Sequence, residues 1–500
     1  MRQWLYAFSL LCLLWVGLSP AGESQAGDWS RPQNLGDGWF PDITADSSGQ
    51  IHVVWTSGLP ADETGIAYDL VMYTSSLDGQ HWQPGNDIVA CPVKGGTEAT
   101  RPTLLSDSTG QIHLTFRDTT IYYAQAHISQ AACAYNWQVT PISQGYYSTL
   151  AHDSQNRLHL VYTSNVSTSN CPICYHVYAR YRDATLQEWS PAIDVSFIPT
   201  GSAKPQLHID TTDNLFLIWE SGVGGAQGQL VDPTTIQFAH SVDRGQSWSN
   251  PMQLSLPQQA ARQAGLGQDG AGNLVVVWQD TNSDLIYYGV SADRGRSWNT
   301  PTPIPNLYGA WSHYQGRLDH AVMVSDSLGH LHLVMVGRRT APQSGLDLLH
   351  LNWNGHIWST PEPIVSFSGD VPEWPEITIA NGNELHVVWF VRPQAYLWSG
   401  GQGSQVWYSH RWLDAPHFAP QPLPTQHPQD NHPTSCPSES ITTPAPFPIS
   451  QLSPNPTPQN QPFNSQEQSI KLIIQSVLPS FLVLVLAVYL FCRLRLLKSW

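Results

Sequence analysis

Charge is scarce in this chain. Only 12% of its 500 residues are Asp, Glu, Lys or Arg, about half the share usual in soluble domains. Basic residues are scarcer still: 22 Lys and Arg stand against 38 Asp and Glu, for a formal net charge of −16. Without a basic stripe nothing displaces counterions from a phosphate backbone, so nucleic acid is excluded as a partner. Cysteine is also sparse, at 7. The single Cys-x-x-Cys, Cys171 to Cys174, has neither a second pair nor a His cluster near it in sequence. That leaves no metal-ligand set, and no cofactor is expected. Long apolar runs are missing except at the two ends, and no helical period joins the apolar segments between them. The chain is instead rich in Trp (21), Tyr (19), Gly (37) and Pro (39). Many aromatics among many turn-formers is the composition of short strands joined by tight turns.

The two ends read as targeting and anchoring segments. Residues 1–26 have the form of a signal peptide: Arg2 is positive, Leu5 to Leu18 is mostly apolar, and Ala21, Gly22 and Ala26 are small. Leu472 to Cys492 runs 21 residues without a charge, roughly 31 Å as a helix and enough to cross a bilayer. Arg493, Arg495 and Lys498 follow it, while only Lys471 precedes it. The positive-inside rule then puts 493–500 in the cytoplasm and everything upstream outside. Fourteen prolines lie between Pro416 and Pro462, a tract that builds no core and reads as an extended stalk. The expected order is a signal peptide at 1–26, a folded domain at 28–424, a stalk at 425–468, a transmembrane helix at 469–492 and a short basic tail. The chain is therefore expected to be a single-pass protein of the cell membrane with its N-terminal domain extracellular. An exported domain permits disulfides. Cys91, Cys133, Cys171 and Cys174 allow three pairings, of which Cys91–Cys133 and Cys171–Cys174 are favoured; Cys436 is left free or intermolecular.

The folded domain carries an internal repeat. Its core is Asp, two residues, a turn-former, one residue, then an apolar strand ending in a large residue. Copies start at Asp46, Asp107, Asp153, Asp210, Asp269, Asp326 and, with Ala in place of Asp, at Ala380, spaced 46 to 61 residues apart. The fourth place holds Gly49, Gly110, Asn156, Asp213, Gly272, Gly329 and Asn383, residues that suit a left-handed turn position. Each copy fits four strands, A to D, and such a period signals a propeller or related array. Strand A often opens with Pro, at Pro41, Pro102, Pro205 and Pro375, a residue suited to a first strand position. The fold class is therefore all-β: a seven-bladed propeller, with a six-bladed one as the alternative, plus one C-terminal transmembrane helix. Trp29-Ser30-x-Pro32-x-x-Leu35 matches Trp248-Ser249-x-Pro251-x-x-Leu254, a strand D, with no strands A to C before it. It is expected to complete the last blade and so remove an open edge; Phe418 to Pro424 competes for that place.

Between strands C and D stand two further motifs: Ser241, Asp243, Gly245 and Trp248, then Ser291, Asp293, Gly295 and Trp298 at the same spacing. This Ser-x-Asp-x-Gly-x-x-Trp pattern resembles the Asp box, or bacterial neuraminidase repeat, of the sialidase-like propellers. Degenerate copies stand at Asp78-Gly79 with Trp82, at Asn354-Gly355 with Trp358, and around Trp189. The resemblance implies that these Asp residues are structural and lie on the face away from the ligand. His52, His113, His159, His332 and His386 recur at one place in strand B, which points to a shared packing or hydrogen-bonding role.

The functional face should then hold the starts of strands A and the B–C loops. The position six before each repeat start is Phe40, Arg101, Tyr147, Lys204, Gln263, His320 and Trp374. If register is kept, these seven ring the central mouth. Aromatics mixed with cations suit a sugar or an anionic small molecule. The family resemblance also implies three Arg to clamp a carboxylate, with an Asp acid/base, a Glu and a Tyr nucleophile. Arg101, Arg262 and Arg317 precede strands A, and Asp118 and Glu220 open B–C loops on the same face. The departures are that Arg101-Pro102 lacks the family's spacer and that no Tyr follows Arg317 where the nucleophile is due. The leading functional expectation is a non-catalytic surface module binding a glycan or other extracellular ligand. The alternative is an exo-α-sialidase or related glycoside hydrolase, and a third reading is a membrane scaffold.

Overall fold

The repeat builds its first hairpin with the Asp carboxylate. Asp46 Oδ1 accepts the amides of Ser48 (2.8 Å) and Gln50 (3.1 Å). Asp107 does the same for Thr109 and Gln111, and Asp210 for Thr212 and Asn214. The fourth residue closes the turn with a left-handed backbone at Gly49 (φ 82°), Asn156 (55°) and Asp213 (62°), where glycine, asparagine and aspartate cost least. In the seventh copy, which lacks the Asp, the left-handed residues are Asn381 and Gly382 rather than Asn383. Without a carboxylate to cap it, this turn takes the Asn-Gly solution instead.

The recurrent His is explained by the same Asp. His52, His113, His159 and His332 place Nε2 against Oδ2 of Asp46, Asp107, Asp153 and Asp326, at 3.1, 3.1, 3.6 and 3.2 Å. The other ring nitrogen meets strand C: His52 at Tyr73 (2.7 Å), His113 at Tyr123 (2.8 Å), His332 at His350 (2.9 Å) and His386 at Tyr408 (2.7 Å). These side chains tie a turn to two strands in a buried setting where an unpaired polar group would be costly.

The computed structural model describes residues 27–59, 67–90, 99–168, 171–183, 188–197, 200–224, 230–310, 320–340, 345–396 and 403–424. They form seven four-stranded antiparallel sheets, the blades of a β-propeller. The innermost strands are Trp39–Ala45, Thr100–Ser106, Ser148–His152, Gly201–Ile209, Ala261–Gln268, Val322–Ser325 and Val371–Ala380, for blades 1 to 7. Each packs beside the next, and the last beside the first. Blade 7 takes its fourth strand from the N-terminal side: Gln33–Asp37 pairs antiparallel with Gln405–Trp412. The segment Phe418 to Pro424 is no strand. It crosses the A–B turns, with Phe418 N donating to Asn381 O and Gln421 N to Ser47 O, both at 2.7 Å, so blades 7 and 1 are joined a second time.

The core lies between blades rather than within them. Val54, Val71 and Tyr73 of blade 1 pack on Leu104, Ile112 and Phe116 of blade 2. Phe216, Ile236 and Phe238 of blade 4 pack on Leu266, Val276 and Trp278 of blade 5. Trp219, Trp278 and Trp389 lie within three B strands, Leu215–Gly224, Leu274–Asp280 and Glu384–Arg392, and are at most 1% exposed; burying each contributes roughly 2–3 kcal/mol. No single sheet is thick enough to hide such residues, so the ring is the unit of stability.

The C–D turns fasten each blade to its neighbour. Ser241 Oγ donates to Asp243 Oδ1 (2.8 Å) and accepts from Gly245 N (2.9 Å), while Asp243 Oδ1 accepts from Ser247 N (2.9 Å). Ser291, Asp293, Gly295 and Ser297 repeat this pattern. Trp248 then packs against the blade 3–4 core and Trp298 against the blade 4–5 core. Cys133 and Cys174 are each disulfide-bonded. Their pairing, and Cys91 with it, lies outside the described residues, as do the signal peptide, stalk, transmembrane segment and tail. No described helix is long and apolar enough to cross a membrane.

Candidate functional site

The seven mouth positions occupy equivalent places at the starts of the inner strands. Phe40, Arg101, Lys204, Gln263 and Trp374 share a left-handed backbone, with φ between 49° and 54°. Each sits in a bulge where pairing to strand B skips, as between Thr100 and Thr103 or Ala203 and Gln206. Such a conformation costs a non-glycine residue about 1–2 kcal/mol. Its recurrence in five blades marks a built feature, and in four the next residue is a proline. Tyr147 and His320 complete the ring without it.

The side chains converge. The Arg101 guanidinium carbon lies 4.1 Å from the Phe40 ring centroid, 5.0 Å from Tyr147 and 5.1 Å from both Trp374 and Tyr146. Trp374 meets Phe40 at 5.1 Å and His320 at 4.5 Å, edge to face. Arg101 is 8% exposed, and its Nη1 is buried without a hydrogen-bond partner. Among the described residues no carboxylate lies within ion-pair distance of it. Aromatic faces offset part of the desolvation of that cation, but its hydrogen-bonding capacity is left over.

The other mouth cations are neutralised. Glu220, 1% exposed, lies 3.5 Å from Lys204 Nζ and 3.7 Å from Arg262 Nη1, and accepts from Gln263 N at 2.8 Å. Arg262 also donates to Asp232 (2.8 Å) and to the Leu230 carbonyl (2.8 Å). Three cations thus face two carboxylates, and Arg101 supplies the surplus.

Beneath the mouth a cavity of about 300 Å³ follows the axis, lined from all seven inner strands. Two carboxyl groups face it one tier down. Burial, reinforced by Glu376, pushes Asp42 well above the usual carboxylate range. Its oxygens accept from Ile43 N and Leu104 N, both at 2.7 Å. Burial pushes Glu376 up to about 8. Burial, helped by Lys204, holds His320 down at about 3. His320 Nε2 and Glu376 Oε1 are 2.9 Å apart, so at neutral pH this is a hydrogen bond between uncharged groups. Burial also raises the Tyr147 phenol, which stays protonated.

Of the residues expected from sequence, Arg101, Tyr147, Lys204, His320 and Trp374 line the axial cavity. Glu220 and Arg262 stand at its mouth, engaged with each other. Asp118 does not line the cavity. It caps its own turn, accepting from Thr120 N. Arg317 lies outside the described residues. Asp42 and Glu376 were missed, although they stand two places after Phe40 and Trp374 and the same register finds them. Tyr146 was missed because nothing in the repeat marks it.

No protein-family model matches the chain, and no curated protein sequence does. Solved structures are similar in fold. An ulvan lyase of a new polysaccharide lyase family, with a saccharide bound, is 10% identical at a TM-score of 0.50, covering 75% of this chain and 95% of that one. A protein of unknown function from Dyadobacter fermentans is 12% identical at 0.44, covering 77% and 97%. An intramolecular trans-sialidase from Ruminococcus gnavus is 13% identical at 0.42, covering 75% and 94%. At these identities the likeness is one of fold, and a fold does not fix an activity.

Proposed function

We propose that the propeller binds an anionic glycan at the mouth of its axial cavity and does not cleave it. The observation that carries this reading is Arg101: buried among four aromatic rings, with no carboxylate partner among the described residues and one nitrogen unused. A ligand carboxylate or sulfate supplies what that nitrogen lacks, and the rings offer faces to sugar C–H groups. The likeness in fold to an ulvan lyase solved with a bound saccharide is in keeping with this class of ligand. Hydrolysis needs a carboxyl acid/base and a nucleophile aimed at one bond. Glu220 is instead held by Lys204 and Arg262, Asp118 by its own turn, and burial keeps the Tyr147 phenol protonated. These arrangements favour binding over catalysis.

Titration calorimetry of the protein with acidic and neutral oligosaccharides tests the reading. An acidic sugar should bind saturably, a neutral one should not, and Arg101→Leu should abolish binding. Steady hydrolysis of a fluorogenic sialoside would overturn it in favour of an exo-sialidase. We further propose that the domain is exported and tethered by 469–492. Loss of membrane association on deleting those residues is the expected outcome; unchanged association would refute the tether.

A further inference from the structure

We propose that the proton on Glu376 controls the axial site: Arg101 takes a ligand anion while Glu376 holds that proton and releases the anion when Glu376 gives it up. This rests on the anion-binding reading of Arg101. Glu376 stands two residues after Trp374 on the inner strand of blade 7, Val371–Ala380. Its Oε1 lies 2.9 Å from His320 Nε2. The His320 ring meets Trp374 at 4.5 Å, and the Arg101 guanidinium carbon lies 5.1 Å from the Trp374 ring. All four side chains line one cavity, where water screens a charge less than in bulk. Among the described residues, blade 1 presents Asp42 to Glu376. Glu376 pushes that carboxyl up further, because two buried carboxylates do not readily ionise together. Blade 6 presents His320, which burial keeps neutral. Across the cavity stand Arg101, Lys204 and the Tyr147 phenol, with Glu220 3.5 Å from Lys204. On its own blade, Glu373 is paired with Arg392 at 3.0 Å.

The count of charges gives the mechanism. At the mouth Arg101, Lys204 and Arg262 face Glu220 and Asp232, leaving one positive charge in surplus. While Asp42 and Glu376 are protonated that surplus stands, and a ligand anion cancels it. An ionised Glu376 cancels it from within. A ligand anion then brings a second negative charge into the same confined space, and the two repel. Glu376 is thus a built-in competitor of the ligand, and burial, which moves its titration up to about 8, keeps it silent at neutral pH. The coupling is reciprocal: a bound anion makes Glu376 hold its proton more firmly, so binding near pH 8 draws a proton from solvent.

Galacturonic acid is the probe, since its carboxylate stays ionised from pH 6 to pH 9. Titrated into the protein, it should bind about tenfold more weakly at pH 9 than at pH 6. Calorimetry at pH 8 in two buffers of different ionisation enthalpy should show proton uptake on binding, a readout that needs no variant. In Glu376→Gln the affinities at the two pH values should agree within about twofold, and the uptake should vanish. Equal affinity of the unmodified protein at both pH values, or a decline that persists undiminished in Glu376→Gln, overturns the control by Glu376 and leaves the Arg101 site standing. No binding to the unmodified protein at either pH removes both.

Discussion

His320 and Glu376 share a hydrogen bond of 2.9 Å in which neither partner is charged. The mouth directly above them carries a surplus cation. The shifts of the pair are opposite in direction and come from the same cause, burial.

That pairing sets a pH dependence. Glu376 is raised to about 8, so its contribution to stability is fully present below its ordinary value of 4.5 and is lost as pH rises through about 8. His320 is depressed to about 3, so its contribution holds above its ordinary 6.5 and is lost as pH falls through about 3. Between about pH 4.5 and pH 8 the protein should lose roughly 1–2 kcal/mol, a value reduced from the full shift because the cavity lining retains some solvent contact. Glu376→Gln should flatten the alkaline limb of a plot of melting temperature against pH and leave the acid limb in place. An alkaline limb unchanged by the substitution would show that Glu376 is not the titrating group.

The acid limb has its own owners. Asp107 and Asp153 lie at about 2: burial alone would raise them, but His113 or His159 and the turn amides outweigh it. A depressed carboxylate contributes stability above its ordinary value of 3.8, lost as pH falls through about 2. Asp107→Asn should therefore cost roughly 1–2 kcal/mol at pH 6, with the difference from the unmodified protein vanishing by pH 2. Urea denaturation at the two pH values measures it.

The repeat was legible because it is local. An Asp that accepts the amides two and four residues on, and a left-handed residue in fourth place, are chemistry within one turn, and sequence shows it. The mouth was legible for the same reason: a bulge recurring at a fixed offset put Arg101, Lys204 and Trp374 at one level. Charge pairing was not legible. Arg262 and Glu220 stand 42 residues apart in different blades, and nothing in their spacing shows that each neutralises the other. Arg101 meets Tyr146, which belongs to the next repeat, so no offset within one repeat finds that contact.

The C–D turns should be sensitive to substitution in proportion to what lies beyond them. Gly295 has φ 81° and a Cβ there would fall 2.2 Å from the Phe238 ring of the preceding blade. Gly272, in the A–B turn of the same blade, has nearly the same φ, 83°, but nothing nearer than 4.0 Å. Gly272→Ala should cost about 1 kcal/mol for the backbone alone. Gly295→Ala should cost about 2–4 kcal/mol, the excess being the clash between blades. Equal costs by chemical denaturation would mean the turn does not bear on its neighbour.

The sharpest contrast lies between two arginines of the mouth. Arg262 is paired with Glu220, Asp232 and the Leu230 carbonyl, so Arg262→Gln leaves buried Glu220 with Lys204 and the Gln263 amide as its remaining partners and should cost about 1–3 kcal/mol. Arg101 has aromatic neighbours and an unused nitrogen, so Arg101→Leu removes a buried cation from an apolar cage. It should leave stability unchanged or raise it by about 1 kcal/mol, even as anion binding disappears. A residue whose removal stabilises the fold is held there for something other than the fold. Thermal melts of the two variants decide the matter: if Arg101→Leu melts several degrees below the unmodified protein, the cage is structural and Arg101 has no surplus charge to offer a ligand.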